Sequence, residues 1–180
     1  MWRRPNPCPV TMTDLTVRVA TGDDVDVWRA LRMEGIVQYP SGFLVTAEEA
    51  AAVPIEQDIK RLSNGDRFLA FAGETAVGIA GLNRNPVPRA NHRAEIGPVY
   101  VVPQARGQGV ADQLMITLMA AAQAAGIWQL ELFVNAENVV AIGLYARHGF
   151  TETGNIPNAI LGADGLEHDL MMIRTDKRDA

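Results

Sequence analysis

The chain has 180 residues, of which 48% are hydrophobic and 21% charged, a balance that suits one globular domain with a sizeable core. Its 16 basic and 21 acidic residues give a formal net charge of -5, which argues against a nucleic-acid-binding surface. An acidic total still leaves room for a local basic pocket, so a small anionic ligand stays compatible with the composition.

The first twelve residues, MWRRPNPCPVTM, are predicted to be a flexible leader, with one domain over residues 13–176 and a tail over 177–180. Three prolines and the lack of an apolar stretch make residues 1–12 a poor signal peptide, and Met12 is an alternative start. We therefore expect the protein to reside in the reducing cytoplasm.

The sequence gives little indication of a metal site or a membrane span. Cys8 is the single cysteine, which excludes an intrachain disulfide and a Cys-rich zinc site. The three histidines, His92, His148 and His168, do not have metal-ligand spacing. Because no apolar run approaches the roughly 20 residues of a membrane span, we expect neither a metal nor a membrane partner.

The N-terminal third predicts a strand followed by two helices. Residues 13–20 alternate apolar and polar side chains, which is typical of a half-buried strand. Thr21 and Asp24 form a capping box that opens a helix from Val25. The segment QYPSGF ends this helix, and the second helix, over residues 46–65, is interrupted near Pro54.

Three strands are predicted next, in RFLAFAG, TAVGIAGLNR and HRAEIGPVYVV. The first two are joined by a short turn at Gly73-Glu74. The third contains Gly97-Pro98, and because proline lacks a ladder donor, we expect a bulge or an unpaired stretch there.

The C-terminal part predicts a helix over 110–125 stopped by Gly126, a strand in WQLELFV, a helix closed by Gly149, and a last strand in HDLMMIR. The segment NIPNAILGADG, residues 155–165, is expected to be a turn-rich loop. The predicted fold is therefore a mixed α/β domain with six strands. Its strand–helix–strand unit over 99–134 requires a parallel pair.

Two glycines stand where this crossover helix begins. Gly107 and Gly109 lower helix propensity, but they also remove the Cβ atoms that would keep an anion away from the free N–H groups of the helix start. A cradle for a pyrophosphate is one interpretation, and a tight turn in which glycine serves only the backbone conformation is the other.

Two nucleotide-binding motifs fit poorly. A P-loop needs Gly-Lys-Ser/Thr, and the chain contains no Gly-Lys pair. The dinucleotide fingerprint needs a third small residue, where this sequence has Asp112.

A different pattern covers more of the chain. The segment VYVVPQARGQGVA resembles the hydrophobic-V-x-P-x-x-R-G-x-G-x-G/A signature of the GNAT superfamily of acyl-CoA-dependent N-acyltransferases, and NAENVVAIGLYARHGF resembles that family's N-x-x-A-x-x-L-Y-x-x-x-G-F helix. The element order over 13–174 is also similar. The resemblance implies a GNAT-like α/β fold with a mostly antiparallel sheet, one splayed parallel strand pair and flanking helices.

The resemblance also implies a site for acetyl-CoA. Backbone groups of Val99, Tyr100 and Val101 would pair with the pantetheine arm like an added strand. Arg106 would add charge near a phosphate, or would bond the loop's own carbonyls. The pyrophosphate would be wrapped by main-chain N–H groups of Gly107, Gln108, Gly109, Val110, Ala111 and Asp112.

On the following helix, Asn138 and Tyr145 are two turns apart and therefore lie on the same face. The resemblance implies that Asn138 bonds the cofactor arm and that Tyr145 reaches its sulfur. A helix N-cap and a core tyrosine are the alternatives for the two residues.

Several groups could act as the catalytic base that removes a proton from the amine acceptor. Some members of the resembled family carry a glutamate on the fifth strand, but the matching residue here is Phe133. Glu95 matches the place where other branches keep a catalytic glutamate, and burial would raise its pKa. An ion pair with Arg93 is the structural alternative for Glu95, while His92 and a water relay are alternative routes for the proton.

The resemblance predicts an acetyl-CoA-dependent N-acetyltransferase acting on the primary amine of a small molecule, an amino acid or a peptide. Its acceptor contacts are expected in QYPSGF and NIPNAILGADG, with Tyr39, Phe43 and Glu34 as candidates. A homodimer is compatible with the sequence. A non-catalytic acyl-CoA sensor of the same fold is the alternative function.

Overall fold

The computed structural model describes residues 14–162 and 165–176. The predicted leader with Cys8 and Met12, and the tail over 177–180, lie outside the described residues. Five α-helices are found in this part of the chain: α1 (Val25–Gln38), α2 (Ala47–Ala52), α3 (Ile55–Leu62), α4 (Val110–Ala124) and α5 (Val139–Arg147). No helix in these ranges is both long and apolar enough to cross a membrane.

Seven strands form one sheet: β1 (Leu15–Val19), β2 (Arg67–Ala72), β3 (Thr75–Arg84), β4 (Arg93–Val101), β5 (Gln129–Asn135), β6 (Thr151–Gly162) and β7 (Gly165–Thr175). Their order across the sheet is β1-β2-β3-β4-β5-β7-β6. All neighbours are antiparallel except β4 and β5, which are parallel. The predicted mixed α/β fold with one parallel pair is confirmed.

Several local signals act as the sequence predicts. Thr21 and Asp24 form the capping box that leads into α1, and Pro54 separates α2 from α3. Gly73 adopts a φ of 59° in the turn between β2 and β3. Gly126, with a φ of 76°, follows the end of α4, since a left-handed residue terminates a helix.

The expected loop over 155–165 is wrong, because most of it belongs to β6, which pairs with β7 at the edge of the sheet. Pro157 and Asn158 suggested a turn, but they fall inside a register shift between Ile156 and Ile160. Proline is tolerated at a bulge in an edge strand, and asparagine adopts positive φ more readily than most residues. Asn158 does so with a φ of 58°.

A bulge in β4 decides which side chains face each side of the sheet. Ile96 pairs with Leu82 and Val99 with Ala80, so Gly97 and Pro98 together oppose one residue of β3. This confirms the predicted irregularity. The extra residue reverses the inward and outward alternation.

Two hydrophobic clusters cover the two faces of the sheet. Leu114 and Leu118 of α4 pack against one face, together with Ala94 and Ile96 of β4. Trp28 of α1 packs on the other face with a separate group that includes Tyr100. Glu95, between Ala94 and Ile96, therefore points to the α1 face of the sheet.

Candidate active site

A cleft of about 710 Å³ opens on the α1 face, where β4 and β5 separate. Their parallel pairing runs from Arg93 opposite Gln129 to Glu95 opposite Glu131 and ends there. Beyond this point the two strands line the cleft with Val99 and Phe133. The β4 edge that faces β5 is therefore presented to the cleft instead of a neighbouring strand.

The turn before α4 holds its two glycines in the left-handed region. Gly107 has a φ of 71° and Gly109 a φ of 82°. A Cβ added to either residue would meet no protein atom within 4 Å, so the space beside this backbone is open. Glycine is thus required for the conformation, and it also leaves the outer side of the turn accessible to a ligand.

The helix start supplies donors to that open space. The N–H of Gln113 donates to the Gly109 carbonyl at 2.9 Å, so the N–H groups of Val110, Ala111 and Asp112 precede the helical ladder. Asp112 directs its carboxylate toward α5, where Oδ1 lies 3.0 Å from His148 Nε2. The arrangement fits a pyrophosphate, because main-chain donors and the positive end of the helix dipole converge there.

Arg106 is held by its own surroundings. Its Nε donates to the Val101 carbonyl at 3.0 Å, and Nη1 donates to the Tyr39 hydroxyl. The guanidinium also lies over the Tyr39 ring, 4.5 Å from its centre. These are the contacts of the structural alternative, and they orient the guanidinium beside the turn. Tyr39 serves Arg106 and is not among the residues that line the cleft.

Asn138 and Tyr145 both line the cleft, as their spacing on α5 predicts. Asn138 caps α5, since its Oδ1 accepts from the Ala141 N–H at 3.1 Å. Tyr145 is 9% exposed and packs edge-on against Phe150 with ring centres 6.0 Å apart. Burial raises the pKa of Tyr145 to about 12, so its hydroxyl retains its proton at neutral pH.

Glu95 occupies the point where the strand pair divides. It lies opposite Asn83 of β3 and Glu131 of β5 and lines the cleft. Burial, and then the negative charge of Glu131, raise the pKa of Glu95. Arg93 does not form the alternative ion pair with it, because its Nη1 lies 3.6 Å from Glu131 Oε2.

The other candidates are placed differently. His92 stacks on Trp128 with ring centres 4.4 Å apart and is not among the residues that line the cleft. Glu34 accepts a hydrogen bond from the Tyr100 hydroxyl at 2.8 Å. Phe43 lines the cleft, together with Ser41 and Gly42 of the QYPSGF segment.

Sequence reasoning missed Asp169 of β7. It is 7% exposed and lines the cleft, and its Oδ1 is buried with no hydrogen-bond partner within the described ranges. Burial, and then Glu167, raise the pKa of Asp169. The available signal was a lone carboxylate beside the apolar run LMMI. Three arginines that line the cleft, Arg32, Arg61 and Arg67, were also missed.

The fold and this site together define the class. A splayed parallel pair, an open glycine turn at the start of the next helix and a buried tyrosine on α5 make up the acyltransferase arrangement that the two motifs imply. Residues 29–150 match the acetyltransferase (GNAT) family. The chain belongs to this family.

Relatives and solved structures agree with this assignment. A mycothiol acetyltransferase from Pseudarthrobacter chlorophenolicus is 32% identical over 141 residues, which are 72% of this chain and 40% of that protein. A mycothiol acetyltransferase from Brachybacterium faecium is 28% identical over 133 residues, 73% of this chain and 39% of that protein. The chain therefore spans about two fifths of the length of these relatives.

The fold is shared with yncA from Salmonella typhimurium, whose structure was solved with its cofactor acetyl-CoA. The TM-score is 0.80 at 17% identity, and the match covers 92% of this chain and 96% of that one. A GNAT-family acetyltransferase from Streptococcus pneumoniae gives a TM-score of 0.78 at 20% identity, covering 91% of this chain and all of that one.

Proposed function

We propose that the protein is an N-acetyltransferase that moves an acetyl group from acetyl-CoA to a primary amine by direct attack. The observation that carries this proposal is the meeting of two titratable groups in one cleft. Glu95 and Tyr145 both line it, and Glu95 stands at the end of the β4–β5 pairing, where the β4 edge becomes free. Their surroundings raise the pKa of the Glu95 carboxyl group and keep the Tyr145 hydroxyl protonated at neutral pH.

The residues present fit acetyl-CoA. The turn over 107–109 and the first N–H groups of α4 would hold its pyrophosphate, and the unpaired edge over 99–101 would hold the pantetheine arm. Asn138 also lines the cleft and would bond that arm. Acetyl-CoA supplies the acetyl group as an activated thioester.

Two side chains of the protein would each carry out one of the two proton transfers that the reaction needs. An amine arrives largely as an ammonium ion and must lose a proton before it can attack, and Glu95 is the base that accepts it. A carboxyl group whose pKa is raised accepts this proton more readily than an ordinary one. The Tyr145 hydroxyl is the acid that protonates the departing sulfur, which is why retention of its proton matters.

The binding of acetyl-CoA, the first step of the proposed reaction, is tested by its effect on the thermal stability of the protein. Acetyl-CoA at one hundred times its Kd is expected to stabilise the protein by about 2.7 kcal/mol, measured as a rise in Tm. ATP and NAD, which share only part of its structure, should raise the Tm less. Free-thiol release on adding an amine panel then separates turnover from binding. Stabilisation without release from any amine would favour the sensor alternative.

The glycine turn gives a second prediction. Gly109→Ala is expected to weaken acetyl-CoA binding about tenfold, or 1.4 kcal/mol, because the methyl group fills the open space beside the N–H donors. Isothermal titration measures the change. Gly126→Ala is the matched control, since that residue has a φ of 76° and equally open surroundings at the far end of α4. Equal affinities in the two folded variants would contradict the cradle.

A further inference from the structure

One side of the cleft is rich in arginine. Arg32 of α1, Arg61 of α3 and Arg67 of β2 line it. They belong to three elements that converge on the α1 face of the sheet. A chain with a net charge of -5 thus places three guanidinium groups together at one side of the cleft, where they act on a bound molecule.

The carboxylates nearby are already engaged. Asp58 accepts from Arg29 Nη1 at 2.6 Å and from Arg61 Nη1 at 3.2 Å. Asp66 accepts from Arg67 Nη1 at 2.9 Å. Three guanidinium groups are therefore paired with two carboxylates and Arg32 adds a fourth positive charge, so this side of the cleft keeps a positive excess.

Arg32 feels the negative charge of Asp58, which acts to raise its pKa, but no carboxylate among the described residues binds it directly. It makes no hydrogen bond or ion pair within residues 14–162 and 165–176. Burial, which costs the guanidinium hydration, lowers the pKa of Arg32. The positive charges of Arg61 and Arg29 lower this pKa further, against the opposing effect of Asp58. An oxyanion bound in the cleft would supply a direct partner, and the planar fork of arginine suits carboxylate and phosphorus oxyanions in particular.

Arg67, one of these arginines, lies within reach of the proposed base. Arg67 Nη2 donates to Asn83 Oδ1 at 2.8 Å, and Asn83 lies directly opposite Glu95. The backbones of β2 and β4 are two strand spacings apart, about 10 Å. One small molecule can therefore span the distance from Arg67 to Glu95, and Arg32 lines the same cleft.

We infer that the acceptor amine carries an oxyanion in the same small molecule, a carboxylate or a phosphorus oxyanion, and that Arg32 binds it so that the amine reaches Glu95. This inference rests on the proposed function and names its substrate class. Asp169, buried and unpartnered at Oδ1 in the lining of the cleft, supports it. An unpartnered polar atom in the lining is available to a polar group of a bound acceptor.

Matched acceptor pairs test the inference. Amino acids are compared with their carboxamides, and aminoalkylphosphonates with the corresponding alkylamines, by free-thiol release with acetyl-CoA saturating. At least one anionic acceptor is expected to exceed its uncharged partner in kcat/KM by about 10- to 100-fold, the range of a charged hydrogen-bonded contact. The better of the two series identifies the type of oxyanion.

Variants then test whether Arg32 causes the preference for an anionic acceptor. Arg32→Gln should abolish the preference mainly by raising KM for the anionic acceptor, with a much smaller change in kcat/KM for the uncharged partner and an unchanged Kd of acetyl-CoA. Arg32→Lys should restore only part of it. Arg89→Gln, which removes an equal charge from an exposed turn outside the cleft, should retain the full preference.

The possible failures are distinct. Preferred acetylation of the uncharged partners, or of peptides with a remote carboxylate, would overturn the inference and leave the proposed function in place. A preference that survives Arg32→Gln would also overturn it. Acetyl-CoA binding without acetylation of any amine would overturn both.

Discussion

Glu95→Gln is expected to lower kcat/KM for the amine by roughly 10² to 10⁴ while the Kd of acetyl-CoA is maintained, because the variant loses a general base and keeps the shape of the side chain. Steady-state kinetics with a saturating cofactor and isothermal titration measure the two quantities. The expected loss is large since no second carboxylate takes the same place. Glu131 lies on the adjacent strand and is engaged with Arg93.

The pH profile makes this prediction more specific. A base must be deprotonated to act, so activity rises as the pH rises through the pKa of Glu95. An ordinary glutamate has a pKa of about 4.3. Burial and Glu131 raise the pKa of Glu95, so the acidic limb should lie above that value. In Glu95→Gln this limb should disappear.

Glu131→Gln is the matched control, since it makes the same change on the neighbouring strand. It removes a negative charge beside Glu95 and releases Arg93, and both effects lower the pKa of Glu95. The acidic limb should therefore move to lower pH while turnover at neutral pH is retained. Near-normal rates in Glu95→Gln, with the limb unchanged, would assign the proton to a water relay.

The parts of the fold that the sequence predicted are those with short-range causes. A capping box at Thr21 and Asp24, a proline between two helices and glycines at helix ends each act through a few neighbouring atoms. The bulge at Gly97-Pro98 is of the same kind, because the missing donor of proline is a property of one residue.

The error at β6 has a long-range cause. Its pairing with β7 depends on a partner whose hydrogen bonds outweigh local turn signals, and Pro157 and Asn158 are accommodated by a bulge. Sequence patterns give the local preference of such a segment. They do not give the pairing energy that it gains at a sheet edge.

The proposed site shows the same division between short-range and long-range causes. Tyr145 is predicted from the second motif of the resembled family, and Glu95 from the place where other branches of that family keep a glutamate. Arg32 and Asp169 lie in no motif, and they come from α1 and β7, which are distant in the chain. Only the tertiary arrangement places both in the lining of one cleft, so the charge pattern on which the proposed acceptor class rests could not be read from the sequence.

Tyr145→Phe is expected to reduce turnover roughly 10²-fold, the scale of a lost general acid. The ring and its packing against Phe150 remain, so the buried apolar area is preserved. The hydroxyl has no hydrogen-bond partner within the described ranges, so its removal should leave the Tm nearly unchanged. Its benefit arises as the bond to sulfur breaks and therefore belongs to the transition state.

Kinetics of a saturated enzyme separate this role from packing. The variant should bind acetyl-CoA with unchanged Kd and show a lowered kcat, whereas a structural defect would alter the Tm and the Kd together. Because the pKa of Tyr145 is raised to about 12, the wild-type enzyme should show no loss of kcat from its deprotonation up to pH 9.

Tyr39→Phe is the matched control, since it removes a hydroxyl that contacts Arg106 outside the residues that line the cleft. Its kcat is expected to stay near that of the wild type. A thiolate is already a good leaving group, so acceptors for which its departure is not rate-limiting should show a smaller effect of Tyr145→Phe. Full activity of folded Tyr145→Phe with every saturating acceptor would return this tyrosine to a packing role and leave Glu95 as the only proton-transfer group in the cleft.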